Sequence, residues 1–65
     1  MHRALSARIR ELTRKRRWSV NQLADFSQVG RGSLSDMLAG KKSPTVRTLV
    51  KIAKALEVEV RDLFV

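Results

Sequence analysis

The chain has 65 residues, no cysteine, and 14 Lys and Arg against 6 Asp and Glu, a formal net charge of +8. A chain of this length is one small domain, residues 1–65, burying only about 60% of the surface its unfolded form exposes. Without cysteine there is neither a disulfide framework nor a cysteine zinc site, and no apolar run approaches the roughly 20 residues needed to cross a bilayer.

The start, MHRALSARIRELTRKRR, is charged throughout and lacks the apolar block of a secretory leader, so a soluble intracellular protein is expected. The charge is uneven. Residues 1–56 carry 13 basic and 3 acidic groups (+10), and residues 57–65 carry 1 and 3 (−2). Unevenly placed positive charge points to a polyanionic partner, of which nucleic acid is the commonest.

The elements read as short helices with abrupt corners. Leu5, Ile9 and Leu12 follow an i, i+4, i+7 spacing, which predicts a first helix from about Ala4 to Arg16 with one apolar stripe. The late cluster of Lys and Arg also suits the negative end of that helix's dipole. In WSVNQLADF, Ser19 fits an N-cap and Gln22 completes an S-x-x-Q capping box, with Trp18 and Leu23 placed for a hydrophobic staple. A second helix follows, Val20 to about Ser27, with Val20, Leu23, Ala24 and Phe26 available for packing.

Leu34, Met37 and Leu38 define the inner stripe of a third helix, about Arg31 to Ala39, with Gly40 placed to end it in a left-handed conformation. Only Gln28, Val29 and Gly30 separate the second and third helices, a corner that fits helix-turn-helix pairing over about residues 19–39. KKSPT is a loop, Thr45 an N-cap, and Val46–Leu56 a fourth helix. VEVRDLFV closes the chain as a last short helix with Val60, Leu63 and Phe64 apolar, because no partner strand exists for it. The expected fold is all-α, a compact bundle of five helices.

With these helices placed, the chain resembles the Cro/repressor (XRE) family of helix-turn-helix domains from about Leu5 to Phe64. The resemblance is carried by Trp18-Ser19, Leu23-Ala24, Val29, Ser33-Leu34-Ser35, Gly40-Lys41-Lys42-Ser43-Pro44, the run Thr48 to Leu56, and Leu63-Phe64. It implies a transcriptional regulator, expected to be a repressor, that binds double-stranded DNA with the third helix in the major groove. A cytoplasmic, nucleoid-associated protein of bacterial or phage origin follows from the same likeness.

The base-contacting positions implied are Arg31, Gly32, Ser33, Ser35 and Asp36. Helical spacing agrees independently: with Leu34, Met37 and Leu38 inward, residues 31, 32, 35 and 36 face out. Arg31 is the principal reader, since a guanidinium reaches guanine O6 and N7 in a bidentate way. Asp36 is expected to orient Arg31 or Arg14 rather than read a base. The phosphate-contacting set is Ser19, Val20 and Asn21 at the start of the second helix, and Lys41, Lys42, Ser43 and Thr45 before the fourth. Such contacts position a protein on DNA without carrying sequence information. A homodimer on a pseudo-palindromic operator is expected, with Val60, Phe64 and Val65 at its interface.

Three departures from the family stand out. Where the family has glutamine at the first position of the second helix, this chain has Val20. Glycines usual in the turn and before the second helix are replaced by Gln28 and Arg17, so that corner is expected to be strained or differently shaped. The family frequently buries an arginine of the first helix against a glutamate late in the third; here the matching positions are Thr13 and Leu38. Joint loss of both charges leaves no stranded ion, and Thr13 and Leu38 are expected to be neighbours.

An enzyme is excluded on these residues, and no cofactor or metal is expected. The lone histidine, His2, sits at the chain start, and the acids Glu11, Asp25, Asp36, Glu57, Glu59 and Asp62 show no metal-ligand spacing. Gly30-Arg31-Gly32 lacks the preceding strand and βαβ unit that a nucleotide-binding G-x-G requires. A second reading stays open, a helix-turn-helix module with weak or non-specific DNA binding that docks on a protein partner such as a toxin or the polymerase.

Overall fold

In the computed structural model, which describes residues 2–64, four α-helices and one 3-10 turn follow in chain order. They are α1 (His2–Lys15), α2 (Val20–Ser27), α3 (Arg31–Leu38), α4 (Val46–Leu56) and the turn Val60–Phe64. The expected fifth helix is therefore a 3-10 turn, and the bundle has four α-helices. The turn has only five residues, Val60–Phe64, and Asp62 secures it by accepting the Glu59 N–H at 3.0 Å.

Local signals decide where the helices begin. Ser19 accepts from the Gln22 N–H at 3.1 Å, and the Gln22 carboxamide accepts the Ser19 N–H at 2.8 Å, a complete capping box. Thr45 caps α4 by accepting the Thr48 N–H at 3.1 Å. Gly30 precedes α3 without any side-chain cap. Gly40, at φ 80°, ends α3 as expected, and the Lys41 N–H closes back onto the Asp36 carbonyl at 2.8 Å.

Each helix turns one face inward, and the core is built from Leu5, Ile9, Leu23, Ala24, Leu34, Met37, Leu38, Leu49, Ile52, Ala53, Leu56 and Leu63. α2 packs against both α3 and α4, while α1 closes one side against α3 and the C-terminal turn. The Arg8 Nε–H donates to the Asp62 carbonyl at 2.8 Å, tying the two ends of the chain together. Arg8 also donates to Glu11 at 2.6 Å, and that hydrogen bond, with the Lys15 charge behind it, holds the Glu11 carboxyl below its ordinary range.

Phe26, expected among the packing residues of α2, is 57% exposed instead. Its ring rests on that of Trp18, centroids 4.6 Å apart, and the Arg16 guanidinium lies 5.3 Å from the centre of the Trp18 ring. Trp18 itself is half-buried against the core. Thr13 and Leu38 are both buried and line one cleft, so the two positions that lack the family's charged pair do face the same space. The Thr13 hydroxyl is satisfied by donating to the Ile9 carbonyl at 2.6 Å.

Both helix corners where the family has glycine are left-handed here. Arg17 and Gln28 have φ 59°, and Glu57, after α4, has φ 58°. A side chain in this region costs about 1–2 kcal/mol, in line with the strain expected at residue 28. Gln28 is exposed and its side chain makes no hydrogen bond among the described residues. Gln28→Gly is therefore expected to raise stability by up to about 1 kcal/mol, after allowing for the greater freedom of glycine in the unfolded chain. Thermal unfolding checks it: a midpoint rise of several degrees supports strain at this corner, and an unchanged or lower midpoint refutes it.

Candidate nucleic-acid interface

The turn Gln28–Val29–Gly30 works through its backbone. The Gln28 N–H reaches the Asp25 carbonyl at 3.3 Å and the Val29 N–H the Ala24 carbonyl at 3.1 Å, which reverses the chain within three residues. Half-buried Val29 then packs on the core and anchors the corner. With α3 held by Leu34, Met37 and Leu38, its outer face consists of Arg31, Gly32, Ser33, Ser35 and Asp36, every one of them exposed. Nothing lies within 4 Å of where a Cβ on Gly32 would stand, so packing does not require glycine there. The bare patch is open to an approaching surface.

A cleft opens on either side of α3. One, of about 230 Å³, is lined by Arg10, Thr13, Arg14, Trp18, Ser19, Val20 and Leu38. The other, of about 170 Å³, is lined by Ser33, Met37, Lys42, Ser43, Pro44, Thr45 and Thr48. Ser33 from α3 thus meets Lys42, Ser43 and Thr45 from the loop, and Ser19 and Val20 meet two arginines of α1. Arg10 and Arg14 were not in the expected set. Their place beside the start of α2 depends on how α1 crosses it, which spacing along the chain does not encode. Thr48 joins the second cleft through its hydroxyl, 3.0 Å from that of Thr45.

The charge is free where these clefts lie. Four ion pairs form among the described residues: Arg8–Glu11, Arg16–Glu57, Arg31–Asp25 and Arg61–Glu59. Arg10, Arg14, Lys41 and Lys42 take part in none of them and are exposed. At the start of α2 the capping box occupies the Ser19 and Gln22 N–H groups. The N–H groups of Val20 and Asn21 bond to nothing among the described residues and remain available. Val20 can contribute only through its backbone, because its side chain packs on the core.

Arg31 is not oriented by Asp36. Its Nη2 lies 3.3 and 3.1 Å from the two carboxylate oxygens of Asp25, on α2 across the turn. Asp36, one turn and more along α3 from Arg31, makes no side-chain contact of this kind with it or with Arg14. Of the three residues expected at a dimer interface, Val60 is half-buried against the core, Phe64 is 58% exposed, and Val65 lies outside the described residues. Among the described residues no group of three or more His, Asp or Glu could hold a metal ion, and no helix is long and apolar enough to cross a membrane.

Comparison with known proteins agrees with this geometry. A helix-turn-helix family model, HTH_3, matches residues 8–63. The HTH-type transcriptional regulator SutR of Escherichia coli (strain K12) is 39% identical over 56 residues, which are 86% of this chain and 32% of SutR. An HTH_3 family transcriptional regulator from Vibrio cholerae, known from a crystal structure, matches with a TM-score of 0.88 at 28% identity, over 97% of this chain and 35% of that one. The chain spans about a third of the length of each relative. With α2, the three-residue turn and α3 in the arrangement its residues implied, the chain belongs to the HTH_3 helix-turn-helix family, that of the Cro/repressor-type domains.

Proposed function

We propose that this chain binds double-stranded DNA sequence-specifically and serves in transcriptional regulation as a repressor, as a dimer on a pseudo-palindromic operator. The observation that carries the reading is the outer face of α3, exposed along its length and flanked by two clefts bearing unpaired cations. An α-helix fits the major groove, and phosphates on either side of the groove then meet the flanking clefts. Arg31 reads a guanine edge, Ser33, Ser35 and Asp36 lie against neighbouring bases, and Gly32 lets the helix backbone approach closely. Ser19, Asn21, the Val20 N–H, Lys41, Lys42, Ser43 and Thr45 hold the backbone, and Arg10 and Arg14 add to them. Val60, Phe64 and Val65 join the two protomers on the acidic side of the molecule, away from DNA.

Selection of bound duplexes from a random library at low salt tests the reading directly. A recurring half-site, repeated about 34–36 Å away, is the result expected of a dimer. Arg31→Ala should then weaken binding to the selected duplex by about 1–3 kcal/mol and relax preference at one base position. Failure to bind any duplex at low salt would sink the DNA reading and leave a protein-docking module in its place.

A further inference from the structure

The ion pair between Arg31 and Asp25 has no evident task in holding the fold. Both side chains are more than half exposed, at 61% and 59%, and surface pairs of this kind contribute little to stability. Its position is more informative. Asp25 stands on α2, Arg31 is the first residue of α3, and the pair bridges the corner that sets one helix against the other. It also places a carboxylate at the edge of a face otherwise rich in free cations.

We propose that Asp25 is a specificity-determining residue: it holds the Arg31 guanidinium as a base reader and keeps it from serving as a general phosphate anchor. This rests on the DNA reading above. A guanidinium has five N–H donors. Asp25 engages a single nitrogen, Nη2, so even full use of its two hydrogens leaves Nη1 and Nε free with three. A bidentate bond to guanine uses two. Arg31 can therefore keep Asp25 and take a base at the same time.

Two consequences follow from the charge and the tether. The tether removes rotamer freedom before binding, which favours the one DNA position where the guanidinium meets a matching base edge. The carboxylate offsets the attraction of Arg31 for any phosphate and itself repels the backbone, which weakens binding everywhere else. Both raise the ratio of specific to non-specific affinity. Asp36 lacks this arrangement, having no cation held against it.

The test measures dissociation constants for the unchanged chain, Asp25→Asn, Arg31→Ala and the double variant. Each is titrated with the selected duplex, with that duplex altered at the base pair where Arg31→Ala relaxes preference, and with an unrelated duplex. Asp25→Asn should bind the unrelated duplex more tightly and lose about three- to tenfold of its preference at that base pair, with its thermal midpoint unchanged. In the Arg31→Ala background the same substitution should leave base preference where it was. An unchanged preference in Asp25→Asn, or an equal loss with and without Arg31, overturns the role of Asp25 while the DNA reading stands. An unchanged chain that binds no duplex overturns both.

Discussion

Raising the salt from about 50 to 200 mM is expected to weaken binding of the dimer to its selected duplex by roughly a thousandfold. The magnitude follows from the cations left free. Lys42 lines the cleft on one flank of α3, with exposed Lys41 next to it in the chain, and Arg10 and Arg14 stand on the other flank beside the start of α2. Counting both lysines and one arginine per protomer gives about six phosphate contacts for two protomers, hence a slope of log affinity on log salt near −5. A monomer would show about half of it, so the same titration reports on assembly. Replacing Lys41 and Lys42 with alanine should lower the slope by about four and leave base preference intact, the reverse of Arg31→Ala. Fluorescence titrations at several salt concentrations decide it, and a slope near zero would mean that the free cations do not face DNA.

Much of this surface was legible in the residues because it is encoded locally. The capping box at Ser19 and Gln22, the N-cap at Thr45 and the left-handed Gly40 each depend on groups within four residues, and the helices begin and end where those groups put them. The outer face of α3 follows from three apolar residues at helical spacing. Gln28, Arg17 and Glu57 show the limit of this kind of reading. Their left-handed backbone is usually signalled by glycine, and here long polar side chains occupy it instead. At residues 17 and 28 the family pattern supplied the warning; at residue 57 nothing did.

What depended on the crossing of one helix over another stayed hidden. Asp36 was expected to orient Arg31 or Arg14, whereas the corner brings Asp25 within reach of Arg31 from α2. Arg10 and Arg14 looked like the charged face of a helix, and only the packing of α1 places them beside Val20. Phe26 had the composition of a core residue, yet it faces outward because Leu23 and Ala24 already fill the inner side of α2. In each case the residue type was informative and its neighbour was not predictable from distance along the chain.

Leu34→Ala is expected to cost about 2–5 kcal/mol, and the reason lies in how α3 is held. Its eight residues include Gly32, two serines and Asp36, none of them a strong helix former, and it begins at Gly30 without a side-chain cap. Isolated helices this short are marginal even in favourable sequences. α3 therefore persists because Leu34, Met37 and Leu38 are buried, and Leu34 is the one of the three with no exposed surface at all. A 65-residue domain has about 3–10 kcal/mol of stability in total, so this single truncation removes a large part of it. The thermal midpoint should fall by 10 °C or more, at about 4–8 °C for each kcal/mol in domains of this size. DNA binding should disappear with the fold, and a midpoint within a few degrees of the unchanged chain would show that α3 is held by something other than its three buried residues.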